Sequence, residues 1–446
     1  MNRVAVEKIL RMIGIVGILV CGIVFLIVII PLASIVSYDI MLPAIIMDVL
    51  LGLFVIVTLI LTFSMIASIK SPARIKSLIR TRRRHSHLIL NASTILFLII
   101  VPFCVVTVSN AYQEPHTYVP LSVFDRTNWV HFNATTWQQS QGNVLNELDY
   151  LWGDKPQVVP LNPQILEETH LQGYTRFKMQ IAVENSGIIQ WDLVPFYLLI
   201  PDIPQANPCP VVIVHHQHNG RYEFGKMEPY GIAGDPRQAI AVGLVQRGYI
   251  VACPDALCFG ERQVPYGEAY TGMLMFMLNR TLNFKYVWDI SRLTDYLVTR
   301  SDVNASRIGI IGHSLGGQMA VWCAVYDSRI KVVLSNCGIG KINGSNSIVE
   351  EGTFQNYAFY LPGIVKSNLK MEEIIGLIGN RSLFLSAGTE DYGLPINGVA
   401  EIHNWLEEKY AHYDHSGNII TLRFVGGHML PTDVKLRMYD FLDQHL

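Results

Sequence analysis

Arg307-Ile308-Gly309-Ile310-Ile311-Gly312-His313-Ser314-Leu315-Gly316-Gly317 is a short apolar, β-branched run that ends in G-x-S-x-G, and the helix formers Gln318-Met319-Ala320-Val321-Trp322 follow it. A strand that turns sharply into a helix at the serine is the context of a nucleophile elbow. Gly312 and Gly316 flank the serine because a Cβ at either place would strike neighbouring backbone in so tight a turn. The turn is expected to lift Ser314 Oγ above the C-terminal edge of a sheet. It also sets the Leu315 N–H at a helix N-terminus, where an oxyanion would form.

A serine hydroxyl needs a base to take its proton, and the base needs an acid to orient it. Downstream, the strand-like stretch 382–386 runs into Ala387-Gly388-Thr389-Glu390-Asp391-Tyr392-Gly393, and 419–425 runs into Gly426-Gly427-His428-Met429. Asp391 and His428 therefore each follow a later strand, in the chain order serine, acid, histidine. Glu390 is the rival acid, and His403, His412 and His415 are rivals for the base.

Outward from these motifs, strands alternate with helical patterns. Strands are expected at 174–183, 193–200, 211–216, 249–253, 330–335, 382–386 and 419–425. Helices are expected at 237–247, 284–299, 397–410 and 432–446, with a short one at 143–152. Such alternation predicts a mostly parallel sheet covered on both faces, opened by an antiparallel pair. Residues 110–173 read as a linker and lead-in, 174–446 as the α/β domain, and 338–379 as an insertion forming a lid or pocket wall.

The chain has 446 residues, half of them apolar, and the excess lies at the front. Three stretches, 12–36, 44–69 and 88–109, are each long enough to cross a bilayer core of about 30 Å as helices. The first and third carry no charge, and the second carries Asp48 alone. Residues 1–109 are thus expected to form a three-helix membrane anchor, with the lipid bilayer as partner. Seven Lys and Arg between 70 and 84 against no acid orient the N-terminus and that loop to the cytoplasm, which places the domain outside the cell. After residue 109, 24 Lys and Arg face 33 Asp and Glu, which argues against a nucleic-acid partner. Cys209, Cys253, Cys258, Cys323 and Cys337 fall in or beside apolar runs and read as buried thiols rather than a disulfide framework.

From about residue 174 to the end, the chain resembles the α/β-hydrolase superfamily. The branch it is most similar to contains dienelactone hydrolases and acetyl xylan esterase-like carboxylesterases. Besides the elbow, the resemblance is carried by Trp288-Asp289-Ile290-Ser291-Arg292, Asp295-Tyr296-Leu297, Ser301-Asp302-Val303 and the loop Pro254-Asp255 to Gly260-Glu261-Arg262. It implies cleavage of small-molecule carboxylic esters without metal or cofactor by Ser314, His428 and Asp391. Prolyl oligopeptidase-type peptidases share the fold, and a non-catalytic binding module on it is the alternative from another class.

The chain departs from that branch after the strand at 211–216, where Gln217-His218-Asn219-Gly220 replaces a His-Gly pair. Leu315 N–H is the first oxyanion donor. The second falls to the N–H of Gln217 or His218, or to the Gln217 amide. His216, Glu261 and Arg262 are candidates for touching substrate, with a buried ion pair as the competing role for the last two. Asp289 and Arg292 read as an i, i+3 helical pair. The cluster His215, His216, His218 lacks an acid or cysteine to complete a metal site. Oligomeric state is not readable.

Overall fold

Buried alternation is what turns these residues into a sheet. In β4 (Cys209–His215) every residue is buried, yet Val211 and Ile213 face one apolar core while Val212 and Val214 face the other. A strand covered on both sides needs helices on both faces. The computed structural model describes residues 137–185, 192–353, 361–367 and 369–446, all within one unit, Ser122–Leu446.

Among the described residues nine strands form one sheet in the order β1-β2-β3-β5-β4-β6-β7-β8-β9. They are β1 (Gln164–Leu171), β2 (Tyr174–Glu184), β3 (Asp192–Pro201), β4, β5 (Ile250–Pro254), β6 (Val303–His313), β7 (Ile330–Asn336), β8 (Ser382–Gly388) and β9 (Ile419–Phe424). The first three are antiparallel, and β3 meets β5 antiparallel; from β5 to β9 every pairing is parallel. Helices α1 (Trp137–Trp152), α2 (Ile240–Gln246), α3 (Gly267–Met277), α4 (Leu282–Val298), α5 (Leu315–Tyr326), α6 (Met371–Gly376), α7 (Ile396–His412) and α8 (Thr432–His445) complete the layers. One core gathers α1, α4, α5, α6 and α7 against the sheet; the other gathers α2 and α8. Helix α5 is apolar all round and buried from Leu315 to Val325, as suits a helix lodged under the central strands.

Chain direction reverses about β4. From it the chain crosses to β5 on one side, and β6 lies on the other. Ligands of open α/β sheets bind beyond the carboxyl ends of strands at such a switch point. Gln217 and His218 follow β4, and Ser314 follows β6.

Among the described residues no helix is long and apolar enough to cross a membrane. The fold is therefore corrected from a hydrolase domain behind three transmembrane helices to an α/β-hydrolase-like domain with a mostly parallel sheet. The spans expected at 12–36, 44–69 and 88–109, and the bilayer contact drawn from them, lie outside the described residues. Three of these elements were not expected: β1, inside the lead-in, α3, and α6, inside the insertion at 338–379. The five cysteines of the described residues are buried and free.

Candidate active site

The last strand residue of β6 is His313 and the first helical residue of α5 is Leu315, so Ser314 alone makes the turn. It does so at φ 55°, ψ −121°, a conformation L-residues avoid. Its N–H donates to Asn336 O at 2.9 Å, and its carbonyl accepts from Gln318 N at 2.9 Å. A Cβ on Gly312 would lie 2.3 Å from Gly316 C, and one on Gly316 would lie 2.1 Å from His215 O. Both glycines are thus required by contact with backbone that has nowhere to move.

The loops after β8 and β9 are knitted to each other. Thr389 N donates to Phe424 O at 2.9 Å and Glu390 N to Gly426 O at 2.8 Å. Gly426, at φ 146°, makes a turn that favours glycine, and a Cβ on Gly388 would lie 2.3 Å from Gly427 O. This brings Asp391 Oδ2 within 2.7 Å of His428 Nδ1, and His428 Nε2 within 2.8 Å of Ser314 Oγ. Asp391 Oδ1 accepts from Gly393 N at 2.9 Å, and the carboxylate is wholly shielded from solvent. An ionised acceptor at Nδ1 assigns the proton to that nitrogen and leaves the Nε2 lone pair facing the serine hydroxyl. Glu390 is exposed. His403 is buried on α7, where burial holds its ring well below the usual range, at about 3. His412 packs on Tyr413, and neither it nor His415 joins the chain of bonds to Ser314.

Behind the elbow runs a buried polar tie that the sequence did not signal. His313 Nδ1 donates to Asn336 Oδ1 at 2.6 Å, and Asn336 Nδ2 donates to Ser386 Oγ at 2.9 Å. The tie links the strands that precede the serine and the acid. The His313 ring lies 5.0 Å from that of His428, and burial lowers its pKa to about 3, so the base has a neutral neighbour.

Leu315 N–H heads the twelve-residue α5, where helix N–H groups point outward without intrahelical partners. Across the switch point, β4 and β6 stay in register up to His215 and Gly312, so Gln217 and Ser314 each lie just beyond the ends of neighbouring strands. The Gln217 amide donates to Glu228 Oε1 at 2.8 Å, which ties that side chain to the short helical turn Met227–Tyr230. The His218 ring accepts from Gly220 N at 3.0 Å and donates to the buried Glu268 Oε2 at 2.7 Å, fixing the loop.

Of the candidates for substrate contact, Glu261 and Arg262 take the competing ion-pair role and His216 is spent on backbone hydrogen bonds. His216 is buried; its Nδ1 donates to Gln217 O at 2.8 Å and its Nε2 accepts from Ala256 N at 3.1 Å, so the ring has no hydrogen bond left for a ligand. Burial lowers it to about 4, which keeps it neutral. Arg262 is buried with its guanidinium on Asp192 (2.8 and 2.9 Å) and Asp289 (2.7 Å), a structural role rather than a substrate contact. Glu261 pairs with Lys178 at 2.8 Å and with the buried Lys226. Asp289 joins Arg262 and, at i, i+4, Lys285, while Arg292 takes Asp295 as its i, i+3 partner in place of the expected Asp289.

Residues 195–414 match the model of the Dienelactone hydrolase family. YtaP of Bacillus subtilis (strain 168), provisionally named a hydrolase, is 29% identical over 256 residues, covering 56% of this chain and 83% of that one. Among solved structures, a glucuronoyl esterase from Solibacter usitatus superposes with a TM-score of 0.54 at 17% identity, over 70% of this chain and 94% of its own. A protein from Bacteroides fragilis NCTC 9343, provisionally named an acetyl xylan esterase, does so with a TM-score of 0.53 at 16% identity, over 73% and 88%. These two likenesses speak for the fold.

Proposed function

We propose that this chain is a carboxylic ester hydrolase working through Ser314, His428 and Asp391. The observation that carries the reading is the unbroken run of two short hydrogen bonds from a strained serine through imidazole to a buried carboxylate. The family matched by residues 195–414 takes its name from the hydrolysis of a lactone, itself a carboxylic ester, which favours oxygen esters over amides.

Ser314 Oγ attacks the ester carbonyl as His428 Nε2 takes its proton. The negative charge that develops on the carbonyl oxygen is met by Leu315 N–H and by a backbone N–H of Gln217 or His218. Asp391 keeps the Nδ1–H tautomer and stabilises the imidazolium. Collapse of the tetrahedral intermediate breaks the carbonyl–alkoxy bond, and His428 returns the proton to the departing alcohol. Water, deprotonated by His428, then attacks the acyl-serine; its oxygen stays with the acid and the serine recovers its proton.

The full-length protein and its Ser314→Ala variant, each given a fluorophosphonate probe and a short-chain nitrophenyl ester, test the reading. Labelling and turnover are expected in the first and absent from the second. A folded wild type that does neither overturns it.

A further inference from the structure

Cys337 is the residue after β7, and it takes φ 48°, a left-handed backbone that β-carbons resist. That turn sets its thiol at the joint between the acid and base loops. Sγ lies 3.6 Å from Met429 O, and ligand-capable atoms of Cys337, Asp391 and His428 all fall within 4.8 Å of one another. Among the described residues this is the one group of three His, Cys, Asp or Glu close enough to share an ion.

Sulfur, imidazole nitrogen and carboxylate oxygen together form the donor set of zinc-class cations. Tetrahedral bonds of roughly 2.0–2.3 Å put neighbouring ligand atoms roughly 3.3–3.8 Å apart. The His428–Asp391 gap of 2.7 Å would widen modestly and the thiol would close in.

We propose that a thiophilic divalent cation of the zinc or cadmium class binds Cys337 Sγ, the Asp391 carboxylate and His428 Nδ1, and thereby switches the site off. This rests on the hydrolase reading for its effect, though not for the binding itself. On binding, the thiol releases a proton to solvent, the His428 ring exchanges its Nδ1 proton for one on Nε2 and so stays neutral, metal–sulfur, metal–nitrogen and metal–oxygen bonds form, and no electron changes hands. With the cation on Nδ1 the ring proton sits on Nε2, so that nitrogen has no lone pair to take the serine proton. His428 is slightly open to solvent whereas the other two side chains are buried, so inhibition develops slowly while the ring moves aside.

The test titrates CdCl2 into the full-length wild type, Cys337→Ser and Ser314→Ala. Ultraviolet absorption of the cadmium–thiolate bond reports binding, and ester turnover relative to each protein's own uninhibited rate reports its effect. Expected are a band and a loss of turnover that rise together in the wild type and reverse with EDTA. Cys337→Ser should lose the band and need at least about tenfold more cadmium for inhibition, since even a ligand's outer partner is worth that much. Ser314→Ala should keep the band, because the serine is not a ligand; a Cys337-dependent band in a wild type that shows no turnover would retain the cation site and remove the hydrolase reading. Equal inhibition of wild type and Cys337→Ser, or no band that depends on Cys337, overturns the proposal. Should Cys337→Ser not fold, His428→Ala replaces it and must show the band only at higher cadmium.

Discussion

Asp391 has all its capacity spent locally: one oxygen on the Gly393 N–H, the other on His428, and no surface left for water. Asn in its place would keep the shape but lose the charge that fixes the imidazole tautomer. We expect Asp391→Asn to lower kcat by about 10⁴-fold, as loss of the acid does in other serine hydrolases, with an unchanged melting temperature. Steady-state kinetics and a thermal melt on the same preparation decide it. The residue types and their order were legible in the sequence, because each follows a strand that its β-branched run announces. The role of His216 was not, and the ion pair of Arg262 stood only as one of two readings with no partner named, because the partners lie far along the chain: Ala256 lies 40 positions from His216, and Asp192 lies 70 from Arg262. A motif gives an atom a place in the chain; its hydrogen bonds come from elsewhere.

At the scale of an element, the β6–α5 turn is held by contacts with neighbouring backbone. A methyl on Gly316 would sit 2.1 Å from His215 O, between the elbow and the end of β4. Gly316→Ala is expected to push the two apart, misplacing Ser314 against its oxyanion donors and reducing kcat/KM by about 10²-fold or more, with a lower melting temperature. Kinetics at wild-type level in the variant would mean the two strand ends have slack that their packing does not suggest. The strand–helix alternation around this turn was readable because buried parallel strands are continuous apolar runs. Helix α3 was not, because its pattern is inverted: Glu268 and Thr271 face inward while Tyr270, Met273 and Met277 face out. Strand β1 escaped for a related reason. Nearly every residue in it is exposed, so no alternation marks it.

For the molecule as a whole, a buried charge cluster ties the antiparallel opening of the sheet to α4. Arg262 and Lys285 sit among Asp192, Asp289 and Glu184, all buried. Removing one member strands the rest in low dielectric. Arg262→Leu is expected to cost about 3–5 kcal/mol in urea unfolding while KM per folded molecule stays as in wild type. A raised KM with unchanged stability would return Arg262 to the substrate. The mostly parallel α/β class was readable from periodicity and motif order, whereas the three transmembrane helices read from hydropathy fall on residues outside those described. One further consequence concerns how the site comes apart. The loops bearing Asp391 and His428 share two backbone hydrogen bonds and a glycine–glycine contact, whereas Ser314 belongs to a different turn. Mechanically the site is a two-part clasp rather than a three-part chain. Heat, pressure or a graft that shifts one part against the other opens the serine–imidazole gap first, and the acid and base travel together as a single cassette.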